Sequence, residues 1–263
     1  MFSEKEDIDY DEAFNFVRER IKFERIENDY DKLKVENDVF DRKTVMNIYY
    51  LMTHDYIDLI DFPIKIGKEA NIFRAKKGKR YYALKIYRIS TSTFNSMIKY
   101  MEGDYRFQSI KRNKLGLIYV WTQKEFRNLT ECYNNDVIVP KPIIFKGNTL
   151  LMQYLGTSKT ISPILKDYRG ENLDEIYKQI KNNILNMVNK AHLVHGDLSE
   201  YNIVINKNKA YFIDVSQALP INHPLAIELL NKDIKNIVKF FNRKGLKIDE
   251  NDIKNNIQWG IFK

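Results

Sequence analysis

The sequence predicts an α+β fold of two lobes, a small strand-rich lobe followed by a mainly helical one, with a helical extension ahead of both. Three observations carry this: short β-rich runs between Phe62 and Tyr154, helical periodicity from Leu173 onward, and charged residues around spaced aromatics in roughly the first 40 positions. The expected boundaries are 1–60 for the extension, 61–154 for the strand-rich lobe and 155–263 for the helical lobe. At 263 residues, with 44% hydrophobic and 30% charged residues, the chain is long enough to bury a core and too apolar to be disordered.

In the extension, Phe14, Phe16, Phe23 and Tyr30 are spaced for partial helix. Asp41 then reads as an N-cap, opening a helix with Val45, Ile48, Tyr49 and Met52 on one face. Phe62–Ile66, Asn71–Lys76 and Tyr81–Tyr87 read as an antiparallel meander, with Lys77-Gly78-Lys79 as a turn. The polar stretch Ser90 to Lys114 has no sustained period and reads as a loop, and Tyr119 to Tyr133 reads as a helix. Ile143–Lys146 and Thr149–Tyr154, joined by Gly147-Asn148, form a hairpin candidate. In the helical lobe, Ile176, Ile180, Ile184, Met187 and Val188 recur at helical spacing between Leu173 and Ala191. A hairpin, Ile203–Ile205 with Ala210–Ile213, precedes a helix near Pro224 whose inward face carries Leu230, Ile234, Ile237, Val238 and Phe241.

The single cysteine, Cys132, excludes an internal disulfide and favours a reducing, cytoplasmic compartment. The opening MFSEKEDIDYDEAF has neither a basic head nor an apolar run, and no stretch approaches the ~18 apolar residues of a membrane span, so no membrane partner is expected. The formal charge of +8 includes clusters at Lys76, Lys77, Lys79, Arg80 and at Lys111, Arg112, Lys114, which fit either solvated loops or contacts with phosphates of RNA or nucleotide.

The chemistry concentrates in His195-Gly196-Asp197-Leu198-Ser199-Glu200-Tyr201-Asn202, which places an Asn five residues after an Asp between a helix and a hairpin, the spacing of a kinase catalytic loop. Phosphoryl transfer needs a carboxylate to orient or accept the attacking group's proton and a nearby amide oxygen to hold Mg²⁺, roles suited to Asp197 and Asn202. Asp214 ends the following hairpin and can ligate the same metal. His195, two residues before the carboxylate, is expected to brace backbone. In the strand-rich lobe, Gly67-Lys68-Glu69-Ala70 joins two strands and can offer backbone N–H groups to ATP phosphates, and Tyr82-Ala83-Leu84-Lys85-Ile86 matches the strand whose lysine meets the α- and β-phosphates. Glu125, on the next helix, is the expected anion for Lys85. The predicted fold is therefore protein-kinase-like.

Gly67-Lys68-Glu69-Ala70-Asn71, Ala83-Leu84-Lys85-Ile86-Tyr87, Lys124-Glu125-Phe126-Arg127-Asn128-Leu129, the loop from His195 to Asn202, and Ile213-Asp214-Val215-Ser216-Gln217 together resemble the RIO atypical protein kinases, from about Val39 to about Gly245. Leu198-Ser199-Glu200-Tyr201, the sequel Val215-Ser216-Gln217 and His223-Pro224 resemble the first RIO subfamily, in a short form similar to archaeal members. The resemblance implies a serine/threonine kinase or ATPase that autophosphorylates and acts in maturation of the small ribosomal subunit, with pre-ribosomal proteins or rRNA as partners. It also implies a phosphorylated state of Asp214 during ATP hydrolysis, a flexible loop over Ser90 to Lys114, and a hinge at Met152, Gln153 and Leu155 that meets adenine. Two departures stand out: Lys65-Ile66 replaces the family's Ser-Thr before Gly-Lys-Glu, and Gln153 replaces the usual acidic hinge residue.

An ordinary protein kinase would carry Phe-Gly after the metal-binding Asp and an Ala-Pro-Glu segment beyond it, whereas here Val215-Ser216 follows and that segment is missing. Three readings stay open: a protein kinase with structured substrates, an ATP-driven assembly switch, and a small-molecule phosphotransferase. The expected cofactors are ATP and Mg²⁺, with Mn²⁺ as the alternative cation.

Overall fold

A computed structural model describes residues 9–22, 40–89, 97, 98, 100, 101, 104, 106 and 113–262. Phe23, Tyr30, Lys111, Arg112 and most of the stretch from Ser90 to Lys114 lie outside the described residues. By packing, the chain divides into two units, one from the described residues of Met1–Thr91 with Ile143–Tyr154, the other from those of Ser92–Pro142 with Leu155–Lys263.

In the first unit, α1 (Tyr10–Arg18) and α2 (Arg42–Thr53) pack with a sheet of β1 (Leu59–Ile66), β2 (Ala70–Lys77), β3 (Arg80–Tyr87), β4 (Pro142–Lys146) and β5 (Thr149–Gln153), ordered β1-β2-β3-β5-β4. Asp41 caps α2, accepting the Lys43 and Thr44 N–H groups at 2.9 and 3.1 Å, and so satisfies donors that a helix start leaves open. Val45, Ile48 and Leu51 of α2 bury against Phe73 of β2 and Leu84 and Ile86 of β3. Because strand side chains alternate, Leu84 and Ile86 facing that core turn Lys85 to the other face of the sheet. The loop residue Asn148 ties helix to sheet: its Oδ1 accepts from Asn47 Nδ2 at 2.9 Å, and its Nδ2 donates to Thr44 Oγ1 and the Tyr87 carbonyl, both at 2.8 Å.

β1 begins three residues before the sequence suggests. Pro63 lies within it and its register against β2 shifts twice, so the period-2 pattern is broken. Its place at the end of the strand order explains how a proline is tolerated. Across β1 and β2, the buried Arg74 holds Asp61 through Nε at 2.8 Å and Nη2 at 2.5 Å, with the Phe62 and Tyr81 rings 4.2 and 4.4 Å from its guanidinium carbon. Such a pair contributes geometry more than net stability.

In the second unit, α3 (Lys114–Asn134) starts earlier than its apolar pattern, capped by Asn113, whose Oδ1 accepts the Gly116 N–H at 2.7 Å. α4 (Leu173–Asn189) buries Ile176, Ile180, Ile184, Met187 and Val188. The ribbon β6 (Leu193–Val194) with β9 (Leu219–Pro220) brackets the hairpin β7 (Ile203–Asn206) and β8 (Lys209–Phe212) in sequence. α5 (Ala226–Arg243) turns Leu230, Ile234, Ile237, Val238 and Phe241 inward, and Phe241 meets Tyr177 of α4 edge-on at 5.3 Å. The short α6 (Asn251–Lys254) docks through Asp252, which accepts from Tyr177 Oη at 2.7 Å and Lys181 Nζ at 2.6 Å. Cys132 is fully buried in α3, and burial pushes its thiol up to about 12, a structural side chain. Among the described residues no helix is long and apolar enough to cross a membrane.

Candidate active site

Asp197 and Asn202 occupy the loop between β6 and β7, and Asp214 follows β8, all within the second unit. Three bonds draw them together. Ile213 N–H donates to the Asn202 carbonyl at 3.0 Å, which sets Asp214 beside Asn202. Asn202 Nδ2 donates to the Asp197 carbonyl at 2.8 Å and to its Oδ2 at 3.1 Å. That orientation commits the amide nitrogen inward and leaves Oδ1 as the atom for a cation. Asp197 is half-buried and Asp214 exposed, so both carboxylates can meet a ligand.

Asp214 sits at φ 60°, ψ 55°, the left-handed region that a non-glycine residue enters at a cost. A 3-10 turn, Val215–Gln217, follows immediately, and Ser216 Oγ donates to Asp214 Oδ1 at 3.0 Å. Among the described residues no three His, Cys, Asp or Glu side chains gather to hold a metal. One carboxylate and one amide oxygen instead fit Mg²⁺, a hard cation that keeps water and phosphate oxygens in its shell. Bound there, it would supply charge stabilisation at the phosphates.

Two buried groups shape the loop from beneath. His195 places Nε2 3.1 Å from the Ile213 carbonyl, and burial lowers its pKa, so a neutral ring braces backbone. Asp233 on α5 accepts the Gly196 N–H at Oδ2 and the Leu198 N–H at Oδ1, each at 2.8 Å. Its burial outweighs those two bonds and raises the carboxyl to about 7. Gly196 has φ +80°, and a Cβ there would lie 3.2 Å from the Gln217 carbonyl oxygen, so the loop needs glycine to pass the turn after Asp214. Sequence reasoning missed Asp233, although its signal was present: an acidic residue on the apolar stripe between Leu230 and Ile237.

In the first unit, the turn of Gly67, Lys68, Glu69 and Ala70 links β1 to β2. A Cβ at Gly67 would fall 2.7 Å from the Ala70 carbonyl oxygen, so this tight turn excludes larger residues. Asn71, fully buried, closes the turn by accepting the Gly67 N–H at 3.2 Å, a role not read from the sequence. Lys85 pairs in register with Ile72 and with Leu150, is 5% exposed, and lies 4.9 Å from the Tyr87 ring. Met152 and Gln153 pair with Ala83 and Tyr82 on the same sheet. Glu125, buried on α3, and Leu155 belong to the second unit.

The RIO domain model matches residues 71–253. The chain is 36% identical over 253 residues to the RIO-type serine/threonine-protein kinase Rio1 of Methanocaldococcus jannaschii, spanning 96% of this chain and 86% of that one. It is 40% identical over 240 residues to the Haloferax volcanii protein of the same name, covering 91% and 80%. The Rio2 kinase of Chaetomium thermophilum, solved as an ADP/Mg²⁺-phosphoaspartate complex, superposes with a TM-score of 0.62 at 20% identity over 82% of this chain and 66% of that one. The strand-rich and helical units, with an Asp-x₄-Asn loop and a hairpin-terminal Asp, have the fold of the protein kinases, and the chain is a serine/threonine kinase of the atypical class. It belongs to the RIO family, in its RIO1-type branch.

Proposed function

We propose that this chain transfers the γ-phosphate of ATP to serine or threonine hydroxyls, its own included, with Asp197 accepting or orienting the hydroxyl proton. The observation that carries the reading is the bonding of Asn202 to Asp197 together with the backbone link that sets Asp214 beside Asn202. Asn202 and Asp214 hold Mg²⁺, with Mn²⁺ as a substitute of similar oxygen preference. Backbone N–H groups of Gly67, Lys68, Glu69 and Ala70 receive phosphate oxygens, Lys85 neutralises them with Glu125 as its own anion, and Met152, Gln153 and Leu155 receive adenine. The pairing of Lys85 with Glu125 rests on the sequence pattern. The family resemblance supports a role in maturation of the small ribosomal subunit, with pre-ribosomal proteins or rRNA as partners.

A second reading, an ATP-hydrolysing assembly switch, has one specific observation in its favour: the Rio2 neighbour was captured as a phosphoaspartate. In this reading Asp214, exposed and held in a strained conformation, is the nucleophile. Incubation with γ-labelled ATP and Mg²⁺, beside Asp197→Ala and Asp214→Asn, separates the two. Acid-stable, base-labile label that depends on Asp197 supports serine/threonine transfer, and hydroxylamine-sensitive label lost with Asp214 supports the switch. Neither label nor released phosphate would refute both.

A further inference from the structure

On the helix α3, Lys124 and Asn128 stand one turn apart on one face, both fully buried. Their donors end on the turn that follows Asp214. Lys124 Nζ lies 2.8 Å from the Ser216 carbonyl and 2.5 Å from that of Ala218. Asn128 Nδ2 lies 2.8 Å from the Val215 carbonyl and 3.1 Å from that of Ala218. Two side chains thus satisfy three carbonyls of a four-residue segment. A third group fixes which way the amide faces: Asn128 Oδ1 accepts from Arg106 Nη1 at 2.9 Å, and Arg106 in turn grips the buried Asp104 through Nε at 2.9 Å and Nη2 at 2.7 Å.

Burying an ammonium to satisfy carbonyls is a costly way to close a turn, since a neutral amide or hydroxyl would do it without desolvating a charge. The cost shows in Lys124 itself, which burial brings down to about 7. The segment it holds is the one that starts at Asp214 in the left-handed region, where the backbone has no intrinsic reason to stay. We propose that Lys124 and Asn128 are positioning residues for metal binding, clamping the Val215–Ala218 turn so that the Asp214 carboxylate is held in place before Mg²⁺ arrives. The inference rests on the reading of Asp214 as a metal ligand and adds the residues that set its geometry. Groups that orient a metal ligand by direct hydrogen bonds change metal affinity by about 10–100-fold, and this clamp acts on the same carboxylate through the backbone next to it.

The test is ADP binding by calorimetry across a Mg²⁺ titration, and in EDTA, for wild type, Lys124→Met, Lys124→Arg, Asn128→Asp and Asp214→Asn. Both Lys124→Met and Asn128→Asp are expected to raise the Mg²⁺ needed for half-saturation by roughly tenfold or more, while ADP affinity in EDTA stays at the wild-type value. Lys124→Arg, which keeps a buried donor, should recover part of the shift. A merely structural role would lower the melting temperature and leave the Mg²⁺ requirement of the folded fraction alone, and that result overturns the proposal. If Lys124→Met does not fold, Asn128→Asp decides, because it retains the Arg106 contact and reverses only the donor toward Val215 and Ala218. Asp214→Asn must itself raise the Mg²⁺ requirement; if it does not, the metal reading of Asp214 fails, and the clamp loses its purpose with it.

Discussion

The side-chain amide of Asn202 is bonded twice to Asp197, at 2.8 Å to the backbone carbonyl and at 3.1 Å to the carboxylate. A carboxylate at position 202 would still offer hard oxygen to a cation, but it would face two acceptors where the amide now donates. Asn202→Asp is therefore expected to keep ADP·Mg²⁺ binding and to slow single-turnover phosphate transfer by roughly 10²-fold or more, as the Asp197 carboxylate is pushed from its orientation. Wild-type transfer in that variant would show that the orientation of Asp197 does not matter.

Asp214 separates backbone strain from chemistry. Asn tolerates the left-handed region better than most residues, whereas Ala does not. Asp214→Asn is expected to unfold within about 0.5 kcal/mol of wild type, and Asp214→Ala about 1 kcal/mol below it, by urea denaturation. Both lose phosphate transfer. Equal stability of the two variants would remove the strain from the account of this position.

Much of this was legible in local sequence, and each exception has a physical cause. Asp41 announced its helix because capping is decided within three residues, and Tyr82 to Ile86 announced a strand lysine because alternation is local. The Asp197 to Asn202 spacing likewise works within one loop. Lys124 and Asp233 were not read as site residues, because their partners lie 92 and 37 residues away and only the folded chain joins them. The two-residue strands β6 and β9 were missed because they are too short to show a period. Pro63 hid the start of β1, and Gly116 masked the first turn of α3.

Gly67 gives a test of the phosphate loop that leaves every charged group untouched. An added Cβ would press on the Ala70 carbonyl oxygen from 2.7 Å, and that atom is backbone, so the turn itself must move. Gly67→Ala is expected to weaken ATP about tenfold, the equivalent of ~1.4 kcal/mol, with a lower melting temperature as the turn shifts. Unchanged affinity would exclude the Gly67–Ala70 backbone from the phosphate contacts.

Asp233 gives the clearest pH signature. Its carboxyl rises from 3.8 to about 7 through burial, so between those values the folded chain holds a proton that the unfolded chain has released. Stability from this group is fully present below pH 3.8 and falls as pH rises through about 7, by on the order of 4 kcal/mol over the window. His195, lowered by burial, works in the opposite direction below 6.5, and Lys124, lowered to about 7, acts between that value and 10.5. The difference between wild type and Asp233→Asn cancels both contributions. At pH 5 the variant is expected to be less stable by roughly 1–3 kcal/mol, since an amide leaves one of the Gly196 and Leu198 N–H groups without an acceptor. As pH rises to 7 the gap should narrow, because only the wild type pays for ionising a buried carboxyl. Urea denaturation at pH 5, 6 and 7 checks this, and a gap that stays constant would mean that Asp233 is ionised throughout and that its two backbone bonds outweigh its burial.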